Sequence, residues 1–152
     1  MVRACDAATG EMVLEFRPHQ DLVAGIALDE EGLRLATTSS DGTIGLWELA
    51  TRRKLGSYGK DSMGYESVSF SRDGKRLAAF SRAAQQVKLW DIASGREVAR
   101  FKYPEQVLTV RFAADDRTLV ITTARQLSLY RVPTFAEINA AELKERAEVK
   151  QP

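Results

Sequence analysis

The chain has 152 residues, 44% of them hydrophobic and 28% charged, with a formal net charge of +1. A chain of this length buries a sizeable core as roughly one domain, and a charge so near zero supplies no basic surface for nucleic acid or an anionic membrane. The single cysteine excludes an intrachain disulfide and fits a reducing, cytoplasmic compartment, while no apolar run is long enough to span a bilayer or to act as a signal peptide.

Alternating apolar and polar residues, broken by Gly, Asp and Ser, read as short strands almost from the first residue. Val2–Asp6 and Met12–Phe16 come first. Leu22–Leu28, Leu33–Ser39, Thr43–Leu49 and Lys54–Tyr58 follow, joined by turns that include DEEG at 29–32 and SSDGT at 39–43. The Asp-Gly pair in the second turn suits the positive φ of a tight hairpin. Glu66–Ser71, Arg76–Arg82, Gln86–Ile92 and Glu97–Tyr103 repeat the pattern, with SRDG at 71–74, and Val107–Ala113, Thr118–Ala124 and Gln126–Val132 complete it. Beyond Val132, PTFAEINAAELKERAEVK is rich in Ala, Glu and Lys. Thr134 and Glu137 have capping-box spacing, and Glu142 stands four residues before Arg146. These features predict a helix from about Phe135 to Glu148, docked through Phe135 and Ile138.

The chain repeats itself. VKLWDIASGRE at 87–97 aligns with VRACDAATGEM at 2–12, IGLWELATRRK at 44–54 and LSLYRVPTFAE at 127–137, so Cys5, Trp47, Trp90 and Tyr130 fall 42, 43 and 40 residues apart. Leu28, Phe70 and Phe112 are each 42 apart, as are Leu35, Leu77 and Leu119. A fixed period in this range marks a repeat architecture, and four short antiparallel strands per period make one propeller blade. The organisation expected is a partial propeller over 1–132, with a half blade at 1–18 and blades at about 19–60, 61–104 and 105–132, then a helical tail over 133–152.

SSDGTIGLWEL at 39–49 and VKLWDI at 87–92, together with the period, resemble the Trp-Asp (WD) repeat β-propeller family over about residues 2–132. The resemblance implies an all-β fold: a partial WD-repeat β-propeller of about three blades of four-stranded antiparallel sheet plus a half blade, with the C-terminal α-helix appended. In that family the Trp-Asp dipeptide closes the third strand of a blade, so Val2–Asp6 is a third strand, Met12–Phe16 a fourth, and the chain enters in mid-blade. The family's structural network joins a histidine before the first strand, a Ser or Thr on the second, the Asp of the tight turn and the Trp of the third. Its counterparts here are His19, Thr37 or Ser39, Asp41 and Trp47. In the second blade Trp90 remains, Ala84 replaces the Asp and no histidine precedes. In the third, Ala124 and Tyr130 occupy the two positions, so packing is expected to hold both blades. The tail PTFAEINAAE resembles the ends of large bacterial WD-repeat proteins, some with a serine/threonine kinase domain upstream, although no kinase motif is present here.

Catalytic readings fare poorly. Ser, His and Asp are the parts of a hydrolase triad, but Ser39 lacks the strained GxSxG elbow that presents a nucleophile. One histidine and one cysteine cannot build a zinc site alone, and GTIG at 42–45 lies in a hairpin rather than ahead of a helix. Asp115 and Asp116 align with the other turns, which makes them a solvated hairpin rather than a carboxylate dyad. Trp47, Trp90 and Tyr130 recur in register and read as core packing. No catalytic residue, metal or cofactor is expected.

The function expected is a non-catalytic protein–protein interaction scaffold, the C-terminal portion of a WD-repeat propeller, with a protein or peptide partner and neither nucleic acid nor membrane. Candidate contacts on the loops before first strands and after second strands are Gln20, Tyr65, Arg82, Tyr103, Gln106 and Arg125. The alternative is a regulatory or substrate-binding segment of a larger bacterial enzyme such as a serine/threonine protein kinase. Since the family usually closes seven blades, completion of the ring is expected from missing N-terminal blades of the same protein or from homodimer closure, with Met12–Phe16 of one chain joining the last blade of another.

Overall fold

Strand-forming alternation is realised along the whole repeat region. The computed structural model describes residues 1–134 together with Ala136, Glu137 and Ala140. Among them run β1 (Val2–Cys5), β2 (Met12–Phe16), β3 (Val23–Leu28), β4 (Arg34–Ser39), β5 (Ile44–Glu48), β6 (Lys54–Tyr58), β7 (Tyr65–Phe70), β8 (Arg76–Ser81), β9 (Gln86–Asp91), β10 (Glu97–Lys102), β11 (Val107–Phe112), β12 (Thr118–Thr123) and β13 (Leu127–Arg131). Each expected strand is present, its ends displaced by a residue or so where a turn hydrogen bond takes over.

Sequential strands pair antiparallel into four sheets: β1-β2, β3-β4-β5-β6, β7-β8-β9-β10 and β11-β12-β13. The first strand of each larger sheet carries an irregularity at the same place, between Val23 and Gly25, Tyr65 and Val68, and Val107 and Thr109. An extra residue there bends the strand and increases its local twist.

The cores lie between sheets. Side chains of a strand alternate between faces, and a sheet with neighbours on both sides buries both, which is why every residue of β8 is buried. Ala36, Ile44, Leu46 and Tyr58 of the second sheet pack with Tyr65, Val68, Phe70, Leu77, Ala79 and Trp90 of the third. Val87 and Leu89 in turn pack with Val107, Val110, Leu119 and Ile121. Val2 and Phe16 of the half blade cover Leu35 and Trp47.

Polar struts recur with the same period. Arg34 donates to the carbonyl of Gly74 at 2.9 Å and lies over Phe70, and Arg76 donates to the carbonyl of Asp116 and lies over Phe112. Each guanidinium thus ties its sheet to a turn of the next while covering an aromatic face. The innermost strands β3, β7 and β11 stand side by side around a groove of about 640 Å³. There the amides of Val110 and Phe112 donate to the hydroxyls of Ser67 and Ser69 at 3.0 and 3.1 Å. Gly25 permits the approach between the second and third sheets, since a Cβ on it would stand 2.6 Å from the Glu66 carbonyl oxygen.

The helix expected over Phe135–Glu148, and its anchors Phe135 and Ile138, fall outside the described residues apart from Ala136, Glu137 and Ala140; those three have helical backbone, and no complete helix is delimited among the described residues. The capping contacts are present. Glu137 Oε2 accepts the Thr134 amide at 2.7 Å, and Thr134 Oγ1 accepts the Glu137 amide at 3.3 Å. The Thr134 amide, helped by the Arg131 guanidinium, holds the Glu137 carboxyl down at about 2. Among the described residues no helix is long and apolar enough to cross a membrane.

Candidate functional site: a buried polar network and an exposed loop face

Four elements bring the network residues together. The β2–β3 connection carries His19, β4 carries Thr37 and Ser39, the β4–β5 turn carries Asp41, and β5 carries Trp47. His19 is buried. Its Nδ1 lies 2.9 Å from Asp41 Oδ2, and its Nε2 lies 2.7 Å from Thr37 Oγ1. The Trp47 indole N–H donates to the same Thr37 oxygen at 2.9 Å.

Of the two hydroxyls that fit the sequence pattern, Thr37 is therefore the hub. Ser39 Oγ instead accepts the Asp41 amide at 3.1 Å and shapes the turn. The turn also needs Gly42, with φ of 90° and a Cβ position 2.5 Å from the Asp61 carbonyl oxygen. Burial pushes the Asp41 carboxyl up, but hydrogen bonds from Thr43 and His19 outweigh it and hold the group below its ordinary value.

The later blades rebuild this position with other side chains. Forty-two residues after His19 stands Asp61, and forty-two further stands Tyr103. The Asp61 carboxylate accepts the Ser81 hydroxyl, and Ser81 Oγ accepts the Ala84 amide at 3.2 Å, as Ser39 does for Asp41. In the last blade Tyr103 Oη and Ser128 Oγ are 3.1 Å apart, and Tyr130 stacks on Phe101 with centroids at 4.9 Å. These blades, expected to be held mainly by apolar packing, also carry the polar ties Asp61–Ser81 and Tyr103–Ser128. Extending the 42-residue step from His19 was the available signal. Trp90 is buried edge-on to Tyr65, with ring centroids 5.6 Å apart.

The same register corrects two contact candidates. Tyr65 and Tyr103 are 1% and 3% exposed. Tyr65 opens β7 where Val23 and Val107 open β3 and β11, so its ring points between sheets. Burial, reinforced by the Asp61 and Glu97 carboxylates, pushes its phenol up to about 12. Gln20, Arg82, Gln106 and Arg125 are exposed at one end of the sheets. Arg82 pairs with Glu66 at 3.4 Å on the rim of the groove.

Residues 10–48 match the family model described as WD domain, G-beta repeat. That span runs from just before β2 to the end of β5 and closes on Trp47–Glu48, the Trp-Asp position. The solved structure titled "Crystal structure of RRP9 WD40 repeats" superposes with a TM-score of 0.69 over 76% of the chain and 37% of its own, at 21% identity. The blades therefore have a propeller fold, and residues 10–48 are similar to a WD repeat.

Curated proteins similar to this chain include eukaryotic translation initiation factor 3 subunit I of Schizosaccharomyces pombe, 24% identical over 82% of the chain and 39% of that protein. Ribosome biogenesis protein erb1 of Aspergillus clavatus is 39% identical over 45% of the chain and 9% of that protein. The chain thus spans about two-fifths of the first relative and far less of the second. Both of these proteins are eukaryotic.

Proposed function

We propose that these WD-repeat blades form a non-catalytic scaffold that presents the loop end bearing Gln20, Arg82, Gln106 and Arg125 to a protein or peptide partner. The observation that carries this reading is the engagement of the polar network. Thr37 and Ser39 are fully buried, and His19 and Asp41 are bonded to each other, so the Ser/His/Asp constellation around the single histidine presents no accessible nucleophile. The loop end offers long polar side chains on a rigid support, the usual arrangement of a recognition surface. A cytoplasmic setting belongs to the same proposal, supported by the exposed free thiol of Cys5. So does completion of the ring by further blades or a second copy, supported by the half blade β1-β2 and the three-stranded sheet β11-β12-β13.

Affinity capture with the wild-type chain and two surface variants tests it. Arg82→Glu with Arg125→Glu is expected to lose the captured partner, while Glu31→Lys with Lys75→Glu on the opposite end retains it. Equal capture by both variants removes the loop end as the contact. Hydrolysis of generic esters is expected from neither wild type nor variants. A wild-type rate abolished by both His19→Ala and Ser39→Ala overturns the non-catalytic assignment.

A further inference from the structure

We propose that a pocket beside the buried histidine binds the phosphoryl group of a phosphate monoester through Arg17 and Lys54. The pocket has a volume of about 460 Å³. Arg17, His19 and Gln20 of the β2–β3 connection line it, with Asp41 and Thr43 of the β4–β5 turn and Lys54, the first residue of β6.

The one carboxylate in this set is already engaged. Asp41 Oδ1 accepts the Thr43 amide and hydroxyl at 3.0 and 2.7 Å, and Oδ2 faces His19 Nδ1 at 2.9 Å. Those bonds turn the group into the turn and the network. Among the described residues neither Arg17 nor Lys54 forms an ion pair. Two cations thus share the pocket with a single, occupied carboxylate. That balance attracts an anion, and a doubly charged one more strongly than a singly charged one.

Both cations stand on ordered supports. Arg17 precedes the buried Pro18, whose ring confines the Arg17 backbone to extended conformations. The Lys54 ammonium lies 5.4 Å from the centre of the Trp47 ring, which is itself tied to Thr37 at 2.9 Å. Less freedom is therefore lost when a ligand is gripped. A guanidinium presents two parallel N–H groups to two phosphoryl oxygens, an ammonium is a point charge for the third, and the Gln20 side-chain amide adds a neutral donor.

The repeat does not require these charges. Forty-two residues after Arg17 stands Gly59, and Lys54 aligns with Glu97. The third sheet forms the same four strands without either cation, so the two are no part of what builds a blade.

The test titrates inorganic phosphate into the full, isotopically labelled 152-residue chain, above the second phosphate pKa of about 6, and follows the side-chain N–H signals of Arg17 and Gln20 by NMR. Saturable shifts at both are expected. Arg17→Gln and Lys54→Gln are each expected to weaken binding at least about threefold, whereas Lys75→Gln and Lys102→Gln, exposed cations outside the pocket, change it less than about 1.5-fold. Lys54→Arg keeps the charge and is expected to retain binding, which separates loss of charge from loss of packing on Trp47. A short phosphoserine peptide identifies the source of the phosphoryl group. Tighter binding than inorganic phosphate assigns it to a phosphorylated side chain, equal binding assigns it to a small soluble monoester, and both support the site. Absence of saturable shifts overturns the proposal, as do equal losses in all four Gln variants or acetate binding as tightly as phosphate. These outcomes are separate from those of partner capture, since Arg82 and Arg125 do not line the pocket.

Discussion

The indole N–H of Trp47 meets the hydroxyl oxygen of Thr37 at 2.9 Å, where both side chains are shielded from water. Because that oxygen also lies 2.7 Å from His19 Nε2, its removal orphans two buried groups at once. Thr37→Val keeps the shape and is expected to destabilise the chain by about 2–4 kcal/mol in urea denaturation, whereas Ser39→Ala, which loses one turn contact, costs about 1 kcal/mol. Equal effects would remove Thr37 from the centre of the network.

Gly25→Ala tests the close approach of the second and third sheets. The added Cβ stands 2.6 Å from a backbone oxygen, Glu66 O, and 2.8 Å from Thr38 Oγ1. Backbone on an inner strand cannot yield cheaply, so a loss of about 1–3 kcal/mol is expected, read as a lowered thermal midpoint. An unchanged midpoint would mean that the inner strands slide freely past one another.

Arg34 joins three partners. It donates to Asp29 Oδ2 at 2.7 Å and to the Gly74 carbonyl, and covers Phe70. Asp29 has a nearly buried side chain, while that of Arg34 is 31% exposed. Arg34→Ala leaves the carboxylate without its cation, at an expected cost of about 2–3 kcal/mol after allowance for solvent screening of the arginine. Asp29→Asn in the same chain is expected to recover part of that loss. Additive losses in the double variant would show the two residues to be independent.

Acid should unfold the protein through specific carboxylates. Burial raises Asp29, Asp41 and Asp73, but hydrogen bonds and neighbouring cations outweigh it and leave all three below the ordinary 3.8. A depressed folded value means that the unfolded chain binds protons first as pH falls. The stabilisation is therefore present above the ordinary carboxylate range and lost as pH drops through the folded values. Thermal midpoints are expected to be flat between about pH 7 and 5 and to fall below about pH 4. Asp41→Asn is expected to flatten part of that acid limb, and an unaltered limb would exclude Asp41 from the linkage.

Much of the blade architecture could be read before any coordinate. Strand order follows from local alternation and Asp-Gly or Gly-containing turns, and the recurrence of Leu35, Leu77 and Leu119 assigned equivalent core positions because equivalent blades bury equivalent faces. The polar network was half readable. His19, Asp41 and Trp47 could be named from the resemblance to the repeat family, but Thr37 and Ser39 lie on the same face of one strand, and the pattern cannot rank two residues that differ by one full pleat.

Tyr65 and Tyr103 show where one-dimensional reading ends. Their neighbours in sequence belong to exposed loops, yet Tyr65 opens a strand whose first side chain turns between two sheets, and Tyr103 fills in the last blade the place His19 takes in the first. Burial there depends on which sheet stacks against which, a relation among residues some forty positions apart. The sequence by itself determined the strands, their antiparallel order and the 42-residue register, because these rest on side-chain alternation and turn chemistry within a few residues. Only the tertiary structure decided which hydroxyl Trp47 and His19 share and that Arg34 and Arg76 brace successive blades, because each depends on distances across neighbouring strands and sheets.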